Sequence, residues 1–174
     1  CGKGKYSNGN GASSCTDCEV GKYNNLLGQS SSTSCKECET GKYNDQAAQE
    51  SCESCAAGKY SDQTARTSES DCKSCGEGKY NDVSAQTSES DCKDCGAGKY
   101  NPAVGRGTDC ISCPGAVAGS NTCTGCAPGT FVDGSTCTNC AAGYFSVSQN
   151  VASCTACPRG YHAKLGTNAV YNGC

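Results

Sequence analysis

CAAGKYSDQTARTSESDCKSCGEGKY, residues 55–80, decides the fold. It opens at Cys55 and reaches Gly58, Lys59 and Tyr60. A polar loop then runs to Cys72, and two residues later the pattern restarts at Cys75 with Gly78, Lys79 and Tyr80. The unit is Cys-x-x-Gly-Lys-Tyr, a loop, a Cys, two residues and the next Cys. Outward from this stretch it opens again at Cys1, Cys18, Cys38 and Cys95, reaching Tyr6, Tyr23, Tyr43 and Tyr100. The pattern then loosens. Cys126 leads to Gly129, Thr130 and Phe131, Cys140 to Gly143, Tyr144 and Phe145, and Cys157 to Gly160, Tyr161 and His162. Cys113 opens a unit with no Gly-x-aromatic before Cys123. Ten units result, and residues 67–74 (TSESDCKS) and 87–94 (TSESDCKD) are near copies, the mark of recent duplication. Self-similarity of this kind signals a repeat architecture.

Composition says what must hold such an array together. Leu, Ile, Val and Phe number only 14 of 174 residues, too few for one hydrophobic core. The 20 cysteines are more than a tenth of the chain, the share of a disulfide scaffold. A bridge closing a loop of about 15 residues contributes roughly 3 kcal/mol in the chain-entropy model, so ten of them replace the missing core. The expected fold is a set of small disulfide-rich repeats. It forms an elongated rod of about ten short β-hairpin modules, with little helix. Six regular modules occupy 1–112, a degenerate module and candidate joint occupies 113–125, and three looser modules occupy 126–174. Disulfides persist in oxidising compartments, so the expected location is extracellular or at the cell surface. The chain opens on Cys1 and closes on Cys174, which reads as a segment of a longer secreted protein.

Pairing each opening cysteine with the one that ends its own loop uses all of them. The frame is Cys1–Cys15, Cys18–Cys35, Cys38–Cys52, Cys55–Cys72, Cys75–Cys92, Cys95–Cys110, Cys113–Cys123, Cys126–Cys137, Cys140–Cys154 and Cys157–Cys174. Sequence alone leaves crossed pairing between neighbouring units open. Gly-Lys-Tyr reads as a short strand with residues alternating sides, the aromatic lying over a disulfide and Lys facing water. The expected packing residues are therefore Tyr6, Tyr23, Tyr43, Tyr60, Tyr80, Tyr100, Phe131 and Phe145. The Gly before each allows a positive φ or a close backbone approach. Each unit is expected to touch only its neighbours.

A chain of C-x-x-G-x-Y followed by C-x-x-C resembles the ephrin-receptor-like cysteine-rich repeats and is similar to the first module of TNF-receptor cysteine-rich domains. The resemblance is strong over 1–110 and weak over 113–126. It implies opening-to-closing bridges, short β-hairpins and an elongated ectodomain. Such repeats also form long arrays in protist surface proteins, including coats and appendages. In the receptors, binding faces come from loops that differ between modules, whereas the first six modules here are alike.

Chemical readings compete less well. Cys15, Cys18, Cys35 and Cys38 have a zinc spacing, but a tandem array generates that spacing automatically. A thioredoxin-like reading of C-x-x-C needs a βαβ context that the pattern lacks. His162 is the only histidine, so no His-based catalytic set can be drawn. Glu69, Asp71, Glu89 and Asp91 read as a solvated face before they read as a calcium site. Net charge is −3, which offers nothing to nucleic acid, and no apolar run is long enough to span a membrane. Asn121-Thr-Cys and Asn172-Gly-Cys are poor sequons, while the Ser/Thr loop at 30–34 has the composition for O-linked glycans. The row Lys5, Lys22, Lys42, Lys59, Lys79 and Lys99 has acidic companions at Glu19, Glu37, Glu39 and Asp94, an arrangement suited to lateral contact. The expected function is that of a non-enzymatic building block of an extracellular filament, surface coat or appendage. It needs no cofactor and self-associates or joins other surface proteins. The alternative is a ligand-binding receptor or adhesin ectodomain, and a minor alternative is a zinc-binding array.

Overall fold

A computed structural model describes all residues except 10, 12, 135, 163, 166–170 and 174. Regular structure is short because each module offers few residues between cysteines. Among the described residues there are nine two-stranded sheets and three 3-10 turns, Ser32–Ser34, Glu69–Asp71 and Glu89–Asp91, with no α-helix. The Lys-Tyr pair of a module lies antiparallel to the two residues inside the following C-x-x-C. Lys22 faces Glu37 and Tyr23 faces Lys36, and Lys59 faces Ser74 and Tyr60 faces Lys73. The longest strands, Thr130–Asp133 and Thr136–Asn139, form the loosest module's hairpin. Unit 113–123 makes no strand of its own. It lacks the Gly-x-aromatic triplet, and Pro114 has no N–H to give a ladder.

The extended C-x-x-C also decides the direction of each sulfur. Residues three apart on a strand point to opposite faces. Cys35 therefore turns back to Cys18, and Cys38 turns forward to Cys52. The structure likewise joins Cys1 to Cys15, Cys55 to Cys72, Cys75 to Cys92, Cys95 to Cys110, Cys113 to Cys123, Cys126 to Cys137 and Cys140 to Cys154. The Cys157–Cys174 pair lies outside the described residues.

The chain divides into two compact units. The first holds Cys1–Gly76, Tyr80–Lys93 and Val104–Thr108, and the second holds Glu77–Lys79, Asp94–Ala103 and Asp109–Cys174. The first unit's core is a series of small clusters. Tyr43 packs with Cys55 and Cys72, and Tyr60 with Cys75 and Cys92. Each tyrosine thus covers the bridge of the next module, which ties neighbours together by apolar burial. Tyr6, Tyr23 and Tyr80 are half-buried in the same slot. In the second unit the half-buried aromatics are Tyr100, Phe131 and Phe145, and the buried sulfurs include Cys95, Cys113, Cys126 and Cys140.

Candidate functional site: the junction between modules

With no catalytic constellation in the sequence, the chemistry to explain is how one module binds the next. A short strand leaves backbone donors and acceptors unpaired, and buried ones must find partners. The junction supplies three backbone bonds. Between the modules opening at Cys38 and Cys55, Gly41 N–H donates to Ser61 O (2.8 Å), Asn44 N–H to Arg66 O (2.9 Å), and Ala65 N–H to Cys38 O (2.8 Å). The next junction repeats them as Gly58 to Asn81 O, Ser61 to Gln86 O and Ala85 to Cys55 O. In the second unit the set recurs as Gly98 to Ala116 O, Asn101 to Ser120 O and Gly119 to Cys95 O. It recurs again as Gly129 to Ser146 O, Val132 to Val151 O and Asn150 to Cys126 O.

A fourth bond comes from the residue after the aromatic. Asn24, Asn44, Ser61, Asn81, Asn101 and Ser146 are all at most 4% exposed. Asn24 Nδ2 donates to Lys5 O (2.9 Å) and Asn44 Nδ2 to Lys22 O (2.6 Å), each reaching the preceding module. Asn101 Nδ2 donates to Lys79 O in the same way. Ser146 Oγ donates to Thr130 O and accepts from Gly129 N–H, both at 2.9 Å. The Asn Oδ1 atoms accept from the amide two residues on, as in Leu26 to Asn24, which fixes the loop that follows. Among the described residues Asn81 Nδ2 has no partner. This buried polar row was not read from the sequence, although its fixed place in Gly-Lys-Tyr-Asn/Ser was there to read.

The motif glycine reaches further than a neighbour. Gly21 has φ +76°, and a Cβ there would sit 2.6 Å from the Ala65 carbonyl oxygen, two modules away. Gly41 stands in the same way against Ala85, Gly58 against Gly105 and, in the second unit, Gly78 against Gly119. The expectation of contact between neighbours alone is thus corrected. The hairpin is so thin that the following module does not fill the space beside it, and the loop of the one after closes in. The carbonyl-bearing residue adopts the left-handed conformation, with φ of 61°, 55° and 60° at Ala48, Ala65 and Ala85. Alanine there is strained by about 1–2 kcal/mol.

The motif lysines are spent close to home, whereas Lys3 reaches Glu50 two modules on (2.9 Å). Lys5 pairs with Asp17 (2.9 Å), Lys59 with Glu69 (3.0 Å), Lys79 with Asp94 (2.9 Å), and Lys99 with Asp109. Lys22 and Lys42 lie 4.0 and 3.7 Å from Glu19 and Glu39. Glu37 instead accepts from Thr64 Oγ1 (3.3 Å). Lys73 holds the Asp62 carboxyl below its usual range through a 2.7 Å contact, and the Lys73 ammonium is pushed up in return. Tyr43 donates to Glu53 (2.9 Å), and that bond, with burial, pushes its phenol up to about 12. Asp71 and Asp91 each accept from two backbone amides, closing capping boxes at the 3-10 turns. Cys15, Cys18, Cys35 and Cys38 are all in bridges, so the zinc spacing carries no thiolate. Among the described residues no three His, Cys, Asp or Glu are placed to hold a metal, and no helix is long and apolar enough to cross a membrane. His162 is exposed.

Residues 27–72 match the family model described as tyrosine-protein kinase ephrin type A/B receptor-like. Over that stretch the chain is similar to an ephrin-receptor-like cysteine-rich repeat. The match takes in the junction between the modules opening at Cys38 and Cys55. No curated protein matches the chain. Ephrin-receptor-like repeats are not an enzymatic family, and with this density of bridges they suggest an extracellular disulfide-rich module.

Proposed function

We propose that the chain is a structural building block of an extracellular filament, surface coat or appendage, assembled from like copies. The observation that carries this reading is the junction. The same three backbone bonds return from module to module with little regard to loop sequence. A repeat whose cohesion lies in its backbone, and whose motif lysines pair with their own module's acids, is suited to length and sameness more than to one special site. Electron microscopy of the native source, with sedimentation of the purified oxidised chain, tests it. The expected result is ordered assemblies that dissociate into disulfide-intact chains. A dispersed monomer in both would remove the reading.

A second reading, a receptor or adhesin ectodomain, is favoured by one observation. Two hollows lined mainly by apolar groups flank the hairpin of 130–139. One, of about 470 Å³, lies against Ala116, Val117 and Ala118, and the other, of about 220 Å³, against Phe131 and Tyr144. Capture of one soluble partner with monomeric behaviour would favour it.

A further inference from the structure

Tyr43 and Tyr60 each cover the bridge of the module that follows. The module opening at Cys113 has no aromatic to give its successor. The junction bonds show what stands in the empty slot. Gly78 N–H donates to Asn101 O (2.8 Å), and one module on Gly98 N–H donates to Ala116 O (2.7 Å). Ala116 therefore occupies the position after the aromatic, and it is buried there as Asn101 is. The residue before it is Tyr100 in the sixth module and Gly115 in the seventh. Gly115 has φ +81°, and a Cβ on it would run into Cys137 Sγ, so the chain passes the slot without a side chain. Cys137 belongs to the next bridge, Cys126–Cys137, the one a ring at 115 would cover. In place of a ring there is the hollow of about 470 Å³. The smaller hollows repeat its construction. Tyr23 stands beside Ser51 and Cys52, and Phe131 beside Ser153 and Cys154, an aromatic next to the closing cysteine of the following module. The large one has Gly115 beside Thr136 and Cys137.

We infer that the hollow at Gly115 and Cys137 is an acceptor for a tyrosine or phenylalanine side chain presented by another polypeptide, which completes the slot this module leaves open. The repeat itself names the chemistry of the guest. Elsewhere the group lying on the following bridge is an aromatic ring, and a ring beside sulfur gains from both area and polarisability. The walls suit it, since Ala97, Ala116, Val117 and Ala118 turn methyl groups and backbone toward the space. Exposure decides how the ring is carried. Val117 is 73% exposed, and Ala97 and Ala118 are exposed as well, so one side of any guest stays in water. Sites for free small molecules enclose most of the ligand's surface, and this hollow does not. A ring borne on a chain is also held by its neighbours, which meet Val117 and Ala118 at the rim. The site lies within the second compact unit and stands whether or not like copies assemble.

The test titrates the full oxidised chain with the stretch its seventh module lacks, the peptide acetyl-Gly-Lys-Tyr-Asn-amide, and follows chemical shifts by nuclear magnetic resonance. Shifts are expected at Ala97, at 115–118 and at Thr136 and Cys137, saturating at millimolar peptide, as suits burial of one ring. The same peptide with Leu in place of Tyr should bind at least about tenfold more weakly, and so should acetyl-tyrosine amide, which has the ring without the chain. Val117→Asp sets a charge at the rim, and Ala118→Phe offers the hollow a ring of the chain's own. Both change exposed side chains outside the bridges, and each should weaken the tyrosyl peptide at least about tenfold. Shifts confined to Phe131 and Tyr144, binding that survives both substitutions, a Leu peptide bound as well as the Tyr peptide, or no shift at any soluble concentration would overturn the site. Acetyl-tyrosine amide bound as tightly as the peptide would overturn the polypeptide as its carrier.

Discussion

Set residues 1–109 beside residues 110–158. The first stretch is highly charged, monotonous and faithful to Gly-Lys-Tyr, while the second is almost uncharged and has lost the lysine. Yet the junction between the modules opening at Cys126 and Cys140 keeps the three backbone bonds found between those opening at Cys38 and Cys55. It also keeps a buried polar residue after the aromatic, Ser146 where the other junction has Ser61, and Ser146 reaches back to the preceding module as Asn44 does one junction earlier. The difference teaches that cohesion and surface are written at separate positions. Cysteine, the motif glycine, the aromatic, the polar residue after it and the left-handed loop residue make the junction. The lysine slot belongs to the outside and is free to change.

The strongest way to break this comparison is to remove a bridge from each side. Cys55→Ser with Cys72→Ser, and Cys140→Ser with Cys154→Ser, should each cost about 2–5 kcal/mol of local stability. Protection of nearby amides from hydrogen exchange measures it. Unequal losses would mean that charge, not the bridge, holds the first stretch.

Next in size is a pair of glycines. Gly41→Ala meets both a φ of +77° and the Ala85 carbonyl, so about 2–4 kcal/mol should be lost. Gly143→Ala meets a φ of +85° but open space, so only about 1–2 kcal/mol should go. Equal effects would deny the contact two modules away. Asn101→Ala should cost about 1–3 kcal/mol, since it removes a fully buried side chain that bonds the backbone at Lys79 and Ala103. The same assay reads it, with loss centred on 79–80 and 101–103.

Alkali reports on Tyr43. The Tyr43 phenol is raised from 10.0 to about 12 by its bond to Glu53. Because the folded value lies above the unfolded one, its stabilisation is whole below pH 10 and is lost as pH climbs through about 12. Near-ultraviolet absorbance should lose the phenol step near pH 12 in Tyr43→Phe, and Glu53→Gln should bring that step back toward the ordinary value. The smallest change is a gain. Ala65→Gly and Ala85→Gly relieve left-handed alanines, with a net benefit of about 0.5–1 kcal/mol after the entropy of the freer chain is counted. Thermal melting is the measure.

The sequence made some of this legible and hid the rest for physical reasons. The module frame follows from Cys55, Gly58, Tyr60 and Cys72 because covalent spacing constrains a short loop strongly. The aromatic slot was legible too, but not that Tyr43 covers the bridge of the following module, since spacing carries no information about which side the neighbour approaches. Asn44 and Asn101 were missed because a polar residue in a polar chain looks like a loop, and only burial reveals what it holds. Ala65 was missed because alanine is not a turn signal, and its conformation is imposed by bonds to Cys38. The approach of Ala65 to Gly21 spans 44 residues and exists only after two junctions have formed.

The meeting of Gly21, Gly41, Gly58 and Gly78 with a carbonyl two modules on has a consequence for inheritance. Both partners in that meeting are backbone. If the twenty residues 66–85 were lost by unequal recombination, the Cys55 opening would run into the loop that ends the next copy, and Gly41 would still find a left-handed residue in register. Copy number can therefore drift without creating a misfit at the seam. A lineage carrying this chain has a ruler whose length is adjustable one notch at a time, each notch leaving the glycine-to-carbonyl register as it was.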